Sequence, residues 1–175
     1  RFEEAKKISD GVRHTVETVR EEGHQEEEVL NDLYVLQCYI DVFSSYASLW
    51  QLALSGEHGA SWTALQDALD ALRIVKRFSS LDVSFFEDQL LELERAYPYK
   101  IFCSIGVKVD HFECSICGQD IDSDACVHRR GELYEGVMAC AIAREITALD
   151  HVSLVTAPED KRCVVSYEDS GPQFR

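Results

Sequence analysis

The stretch LLELERAYPYKIFCSIGVKVDHFEC, residues 90–114, contains the change in periodicity that decides the fold class. Its first part carries apolar residues at helical steps, and Pro98 ends that helix because proline lacks a backbone N–H and restricts the residue before it. After Pro98, apolar and polar residues alternate, and β-branched and aromatic types are frequent, which is typical of a strand. The stretch therefore predicts helices first and a small sheet second, an α+β order.

Upstream of this change, apolar side chains recur at three- and four-residue steps in four segments. The predicted helices span residues 2–22, 26–56, 61–80 and 81–98. The second is apolar over more than one face, as a central helix is, and Ser61 and Ser80 are predicted as the N-caps of the last two. Four helices joined by short loops predict an up-and-down four-helix bundle.

Downstream, four short segments have strand-like composition. They span residues 99–114, 136–146, 150–157 and 161–167, with a turn at Pro158 between the last two. The sequence thus predicts two domains: an acidic helical bundle over residues 1–98 and a small β-domain with a Cys/His knuckle over residues 99–175.

The composition is that of a folded protein, and its charge is strongly negative. The 175 residues include 17 Lys and Arg against 32 Asp and Glu, for a formal net charge of -15. Such a surface repels phosphate backbones, so we expect no nonspecific nucleic-acid binding. Two alternatives remain: the acidic stretch EEGHQEEE, residues 21–28, binds a basic protein partner, or the charge serves solubility.

Seven cysteines, an odd number with two closely spaced, do not suggest a disulfide framework. They indicate a reducing compartment, and no signal peptide or membrane-spanning apolar run is visible, so we expect a cytoplasmic protein without membrane attachment. Because the chain begins at Arg1 and ends abruptly at Arg175, we also expect it to be part of a longer protein.

The segment FECSICGQDIDSDACVH, residues 112–128, has the ligand types and spacing of a metal site. Cys114 and Cys117 are separated by two residues, which lets both thiolates reach one ion from a tight turn, and Gly118 follows at the knuckle. Cys126 and His128 complete a Cys3His set. Sulfur and imidazole ligands favour Zn2+ over calcium or magnesium. Cys140 is the alternative fourth ligand.

Four protein ligands leave no open position on the metal, and closed zinc sites are structural in most proteins. A catalytic zinc would need a water and a nearby carboxylate instead. The loop offers acidic residues for that alternative: Glu113, Asp120, Asp122 and Asp124. We expect a structural zinc.

Two segments flanking this loop, CSIGVKV at 103–109 and LDHVSLVTAPEDKRCVV at 149–165, resemble strands of phage prohead (capsid-maturation) serine proteases. The resemblance covers about residues 100–165, and some phage-encoded relatives carry a Cys/His loop between these strands. It implies that Ser104 matches the nucleophile of that family. Activating a serine requires a general base, and His111, His128 and His151 are the histidines close in sequence. His151 stands where the family has glutamate.

The function that these observations favour is non-enzymatic. We expect a zinc-containing interaction subunit or adaptor of a phage-related or antiviral-defence assembly. One alternative is a prohead-protease-like serine protease using Ser104. Another is a toxin-like helical nuclease, which the acidity disfavours; its Arg–x(4–6)–His motif is also missing from the predicted helical region, residues 1–98, where Arg20 and His24 lie one residue too close.

Overall fold

A computed structural model describes residues 2–23 and 26–165 of the chain. Its elements, in chain order, are α1 (Phe2–Glu21), α2 (Glu27–Leu54), α3 (His58–Phe78), α4 (Ser84–Ala96), β1 (Phe102–Cys114), β2 (Leu133–Tyr134), β3 (Val137–Met138) and β4 (Ala141–Val155). The strands form two separate two-stranded sheets, β1 with β4 and β2 with β3. The predicted α+β order is confirmed. None of the described helices combines the length and apolarity that crossing a membrane requires.

The helices pack as successive neighbours, α1 on α2, α2 on α3 and α3 on α4, with the most extensive contact between α2 and α3. The buried side chains of α2 and α3 form the centre of the core, where Val42, Leu49 and Leu65 are almost completely inaccessible. Aromatic edges join α4 to α2, because Phe86 lies 4.9 Å from the ring of Phe43 between centroids.

Both predicted N-caps are wrong. Helix α3 begins three residues earlier than expected, so Ser61 lies in its first turn, buried, and donates to the carbonyl of Leu49 at 2.9 Å. Helix α4 begins at Ser84, whose backbone N–H donates to Asp82 Oδ1 at 3.0 Å. Ser80 precedes this helix and is exposed to solvent. Ser61 therefore makes a buried tertiary hydrogen bond and does not cap α3. At the start of α4, a turn closed by the Asp82 side chain takes the place of the predicted Ser80 cap.

The main sheet is a long antiparallel hairpin, here called the β1–β4 ribbon, that runs from the pair Phe102–Val155 to the pair Cys114–Ala141. Two register shifts, after Gly106 and after Lys108, each absorb one extra residue of β4. The prediction of separate strands at 136–146 and 150–157 is therefore wrong, because the two bulges let β4 continue through residues 147–149 between them.

The last predicted strand, residues 161–167, is also wrong over its described part. Only an isolated antiparallel bridge joins Val164 to Phe102 there, and residues 166 and 167 lie outside the described residues. The second sheet is a tight hairpin with Leu133 opposite Met138. Its turn residues Glu135 and Gly136 have φ of 48° and 74°, as a two-residue type I′ turn requires.

The β-region contributes to the helical core at the first residue of β1. Phe102 is 4% exposed and stacks 6.4 Å from the Trp62 ring of α3 between centroids. The Trp62 indole N–H donates to the carbonyl of Lys161 at 2.7 Å. These contacts cross the predicted boundary between residues 98 and 99, and the division into two domains stays a prediction.

Candidate metal centre

Four predicted ligands converge at the outer end of the β1–β4 ribbon. The ligand atoms of Cys114, Cys117, Cys126 and His128 all lie within 4.8 Å of one another. The closest distances are 3.6 Å from Cys114 Sγ to His128 Nδ1 and 3.7 Å between the sulfurs of Cys117 and Cys126. Three sulfurs and an imidazole nitrogen at these distances could bind a metal ion.

The first two ligands are positioned by a tight turn at the end of β1. The Gly118 N–H donates to the Cys114 carbonyl at 2.9 Å, and the Cys114 N–H donates to the Gln119 carbonyl at 2.8 Å. Gly118 has a φ of 71°, which side chains rarely adopt, so the glycine predicted at this knuckle is required by its backbone. A hydrogen bond from the Cys117 backbone lowers the pKa of the buried Cys114 thiol, which favours the thiolate that binds metals.

The second pair of ligands comes from the returning loop. The Cys126 N–H donates to the Ser123 carbonyl at 3.1 Å, and burial raises the pKa of the Cys126 thiol. The His128 ring is held edge-on against Tyr134 of β2, with centroids 4.7 Å apart. The Tyr134 hydroxyl accepts the N–H of Arg129 at 3.0 Å, which fixes the backbone directly after the histidine.

Cys140 lies outside the four-residue group. Its backbone N–H donates to Ser115 Oγ at 2.9 Å and its carbonyl accepts the Ser115 N–H at 3.0 Å, while its thiol contacts the Met138 carbonyl at 3.6 Å. The residue therefore ties the start of β4 to the knuckle through its backbone, and its side chain is exposed.

Three of the acidic side chains near the cluster have partners of their own. Asp122 pairs with Arg130, whose guanidinium lies 4.7 Å from the centre of the Phe112 ring. Glu113 accepts two hydrogen bonds from Arg144, each 2.9 Å long, and these bonds lower the pKa of the Glu113 carboxyl. Asp120 caps the N–H of Asp122 at 3.1 Å. These contacts hold the loop in place around the four clustered side chains.

The loop is tied to the helices by contacts that sequence reasoning missed. Asn31 of α2 accepts the Gly136 N–H at 2.8 Å through Oδ1, and Arg20 of α1 donates to the Gly136 carbonyl at 3.3 Å. Added to Gly136, a Cβ would lie 2.8 Å from the Leu30 carbonyl oxygen. The sequence signal for this anchor was Gly136 alone, because glycine readily adopts the positive φ that the second central residue of a type I′ turn requires. Its partner Asn31, 105 residues earlier, had no such signal.

Ser104 lies in the middle of β1, opposite Ser153 of β4, and no hydrogen bond of its hydroxyl is found among the described residues. His151 pairs with Gly106 on the same face of the ribbon, and its Nδ1 is 3.1 Å from Asp150 Oδ2. His111 lies on the opposite face, since successive residues of a strand alternate. His24, named with Arg20 in the nuclease alternative, lies outside the described residues.

No protein-family model matches the chain, and no curated protein or solved structure is significantly similar to it.

Proposed function

We propose that Cys114, Cys117, Cys126 and His128 bind one structural Zn2+. A tetrahedral zinc shell with ordinary bond lengths sets sulfur–sulfur distances of about 3.8 Å and sulfur–nitrogen distances of about 3.5 Å. The spacings of 3.7 Å between Cys117 and Cys126 and of 3.6 Å between Cys114 and His128 support this assignment. Four protein ligands fill the shell, so the ion holds the loop together and leaves no position for a substrate.

We further propose that the chain is a non-enzymatic interaction subunit or adaptor, with its helices acting as an acidic four-helix bundle. The observation that carries this proposal is a cleft of about 470 Å³ between α1, α2 and the β2–β3 turn. Glu17 and Glu21 of α1 line it, and Glu135 at the tip of the turn faces them across it. Among the described residues that line it, Arg20 is the only cation, and it already donates to the Gly136 carbonyl.

This cleft suits a lysine or arginine side chain of a basic protein partner. Its three carboxylates are exposed to solvent, and the exposed acidic side chains Glu22, Glu26, Glu27 and Glu28 continue the negative surface beyond it. Complementary charge of this kind speeds association and selects partners more than it adds affinity. Glu135 directly follows Tyr134, whose ring packs against His128, so the metal would help to set the shape of the binding surface.

The experiment measures binding of an oligo-lysine peptide by isothermal titration calorimetry at several salt concentrations. Replacing Glu21 and Glu135 by glutamine should weaken binding roughly three- to tenfold and reduce its salt dependence. The matched control replaces two exposed carboxylates elsewhere, Asp88→Asn and Glu159→Gln, and removes the same charge. Equal affinities for the two double variants would overturn the cleft as the binding surface.

The resemblance to prohead proteases is the basis for proposing a phage-related or antiviral-defence assembly as the setting. Capture with the zinc-loaded chain from its own host, followed by mass spectrometry, should return a basic protein that the variant with Glu21 and Glu135 replaced fails to retain. The neighbouring genes test the setting directly, because capsid or defence genes support it and unrelated metabolic genes contradict it.

A second candidate function is the Ser104-dependent protease. The placement of His151 favours it: the ring covers Gly106 on the face of the ribbon that carries Ser104, and Asp150 orients its Nδ1. A fluorophosphonate probe should then label the wild-type chain and the Ser153→Ala control but not Ser104→Ala. Absence of labelling in the wild-type chain would exclude this candidate and agree with the interaction role.

A further inference from the structure

The β1–β4 ribbon has an apolar face that no other part of the described chain covers. We call it the outer ribbon face. It consists of Cys103, Ile105, Val107 and Val109 of β1 and Ile146, Leu149, Val152 and Leu154 of β4. The register pairs these residues with one another across the two strands, from Cys103 with Leu154 to Val109 with Ile146. Paired residues share a face, so all eight side chains form one continuous stripe.

The opposite face of the ribbon is buried in the helical core at the Phe102 end and carries small or polar residues next to it. Phe102 enters the helical core, and Ser104, Gly106 and Lys108 follow on that face, opposite Ser153, His151 and Ala148. The ribbon is therefore amphipathic, but its more apolar face points away from the core. Alternation of this kind is typical of a sheet with one buried face.

The outer ribbon face exposes a contiguous apolar patch to solvent, in contrast to apolar residues scattered singly over a surface. Six of its eight residues are between 43% and 69% exposed: Ile105, Val107, Ile146, Leu149, Val152 and Leu154. Monomeric proteins seldom expose contiguous apolar patches larger than a few hundred Å², and larger ones mark interaction sites. A lone two-stranded ribbon is also marginally stable in water, so cover on this face would stabilise it.

We propose that the occupant of the outer ribbon face is a second copy of this chain, packed face to face about a twofold axis. Two twisted ribbons would then form a four-stranded sandwich with their sheets about 10 Å apart. A twofold contact uses the same patch on both copies, and a wholly apolar patch complements itself. This surface is separate from the acidic cleft, so the proposal does not depend on the proposed partner of that cleft.

The charge distribution supports pairing with a second copy. None of the eight residues of the outer ribbon face is charged, although the chain carries a net charge of -15. The next pair on this face is His111 and Arg144, and each has an acidic partner: His111 Nδ1 lies 3.0 Å from Asp110 Oδ2, and Arg144 donates two hydrogen bonds to Glu113. Two copies can therefore approach through an uncharged part of their surface, and none of the eight residues selects a charged partner.

The available area is sufficient for a stable dimer. The exposed side chains offer on the order of 600 Å² per copy, so pairing buries on the order of 1,200 Å² in total, the lower end for specific interfaces. The centre of that area is aliphatic, as in interfaces between identical subunits. An interface of this size predicts a dimer that dissociates measurably at low protein concentration.

The experiment is sedimentation velocity and equilibrium of the full zinc-loaded chain from about 1 to 100 μM, a range that brackets an interface of this size. We expect a particle of twice the chain mass of 19.8 kDa at the upper concentrations. Leu149→Lys, at the centre of the face, should weaken the dimer at least about tenfold. Ala148→Lys, the adjacent residue on the opposite face, should leave the dimer unchanged.

Circular dichroism and zinc content establish that each variant is folded, and Val152→Thr provides a milder change that keeps strand propensity and shape. It should weaken the dimer by a smaller factor than Leu149→Lys. A folded wild-type chain that sediments as a monomer at 100 μM would overturn the proposal and leave the face to a different protein. A dimer or larger oligomer that persists in Leu149→Lys would overturn it as well.

Discussion

Gly136 of the β2–β3 turn donates its backbone N–H to Asn31 Oδ1 of α2 at 2.8 Å, which joins the candidate metal loop to the helices. Through this bond the position of the loop depends on α2, and the start of α2 depends on the loop. The same turn places Glu135 opposite Glu17 and Glu21. The β2–β3 turn thus connects the candidate metal loop to the acidic cleft.

Removing a metal ligand should destabilise the whole chain. We expect wild-type protein to contain about one equivalent of zinc, and Cys117→Ser to lose it and to lower the melting temperature by roughly 10 °C or more, because binding free energy of a structural ion is folding free energy. Elemental analysis and thermal unfolding measure both. The control is Cys140→Ser, an exposed thiol outside the cluster, which should keep the metal and the melting temperature. A metal-free wild-type chain of undiminished stability would contradict the assignment.

Substituting Gly136 should loosen the loop from α2. Gly136→Ala forces a Cβ to within 2.8 Å of the Leu30 carbonyl oxygen at a φ of 74°, and we expect a loss of about 1–3 kcal/mol in the free energy of unfolding. Urea denaturation provides the measurement. Gly11→Ala is the control: this glycine lies inside α1 with nothing within 4 Å of its Cβ position, so the change should stabilise by about 0.5–1 kcal/mol. Equal effects of the two substitutions would show that the anchor is unimportant.

Stability in acid should depend on Glu94 of α4. Burial tends to raise the pKa of this carboxyl, but hydrogen bonds from Lys161 at 2.8 Å and Gln66 at 3.0 Å outweigh it, and the net pKa is lowered. A lowered pKa in the folded state stabilises the protein above the unfolded value of about 4.3, and the contribution is lost as the pH falls through the folded pKa.

Glu94→Gln should therefore cost about 1–2 kcal/mol at pH 7, and the difference from wild type should shrink between about pH 5 and pH 3. Denaturant titrations at both ends of this range provide the measurement. Glu92→Gln, an exposed position on the same helix, should change little at either pH because its pair with Arg95 is solvent-exposed. A gap between wild type and Glu94→Gln that is independent of pH would contradict the assigned role.

Phe102 should couple the ribbon to the helices. Phe102→Ala removes a buried ring that stacks on Trp62, and we expect a loss of about 3–5 kcal/mol. Phe85→Ala, at an exposed ring of α4, should cost less than about 1 kcal/mol. In the wild-type chain, helix unfolding followed by circular dichroism and zinc release followed with a chromogenic chelator should coincide in one transition. Two separate transitions would support independent domains divided at residue 98.

Local sequence was sufficient to predict the four helices and the group of three cysteines and one histidine that could bind a metal ion. Apolar residues recur at helical steps in residues 2–22 and 26–56, and that periodicity is a property of neighbouring residues. The spacing of Cys114, Cys117, Cys126 and His128 likewise reflects a turn and a loop of fixed reach. These features were recoverable because each is encoded within about one or two dozen residues.

Tertiary structure decided whatever depended on residues far apart in the chain. Strand β4 runs unbroken from Ala141 to Val155 because bulges let it keep its register with β1, and that ladder leaves no local signal. Ser61 became a buried donor to Leu49 because α2 and α3 press together there. Asn31 met Gly136 only after folding had brought them together. Local patterns set which segments are helical or extended, whereas long-range hydrogen bonds and burial, set by the whole chain at once, decided where the elements end and what they touch.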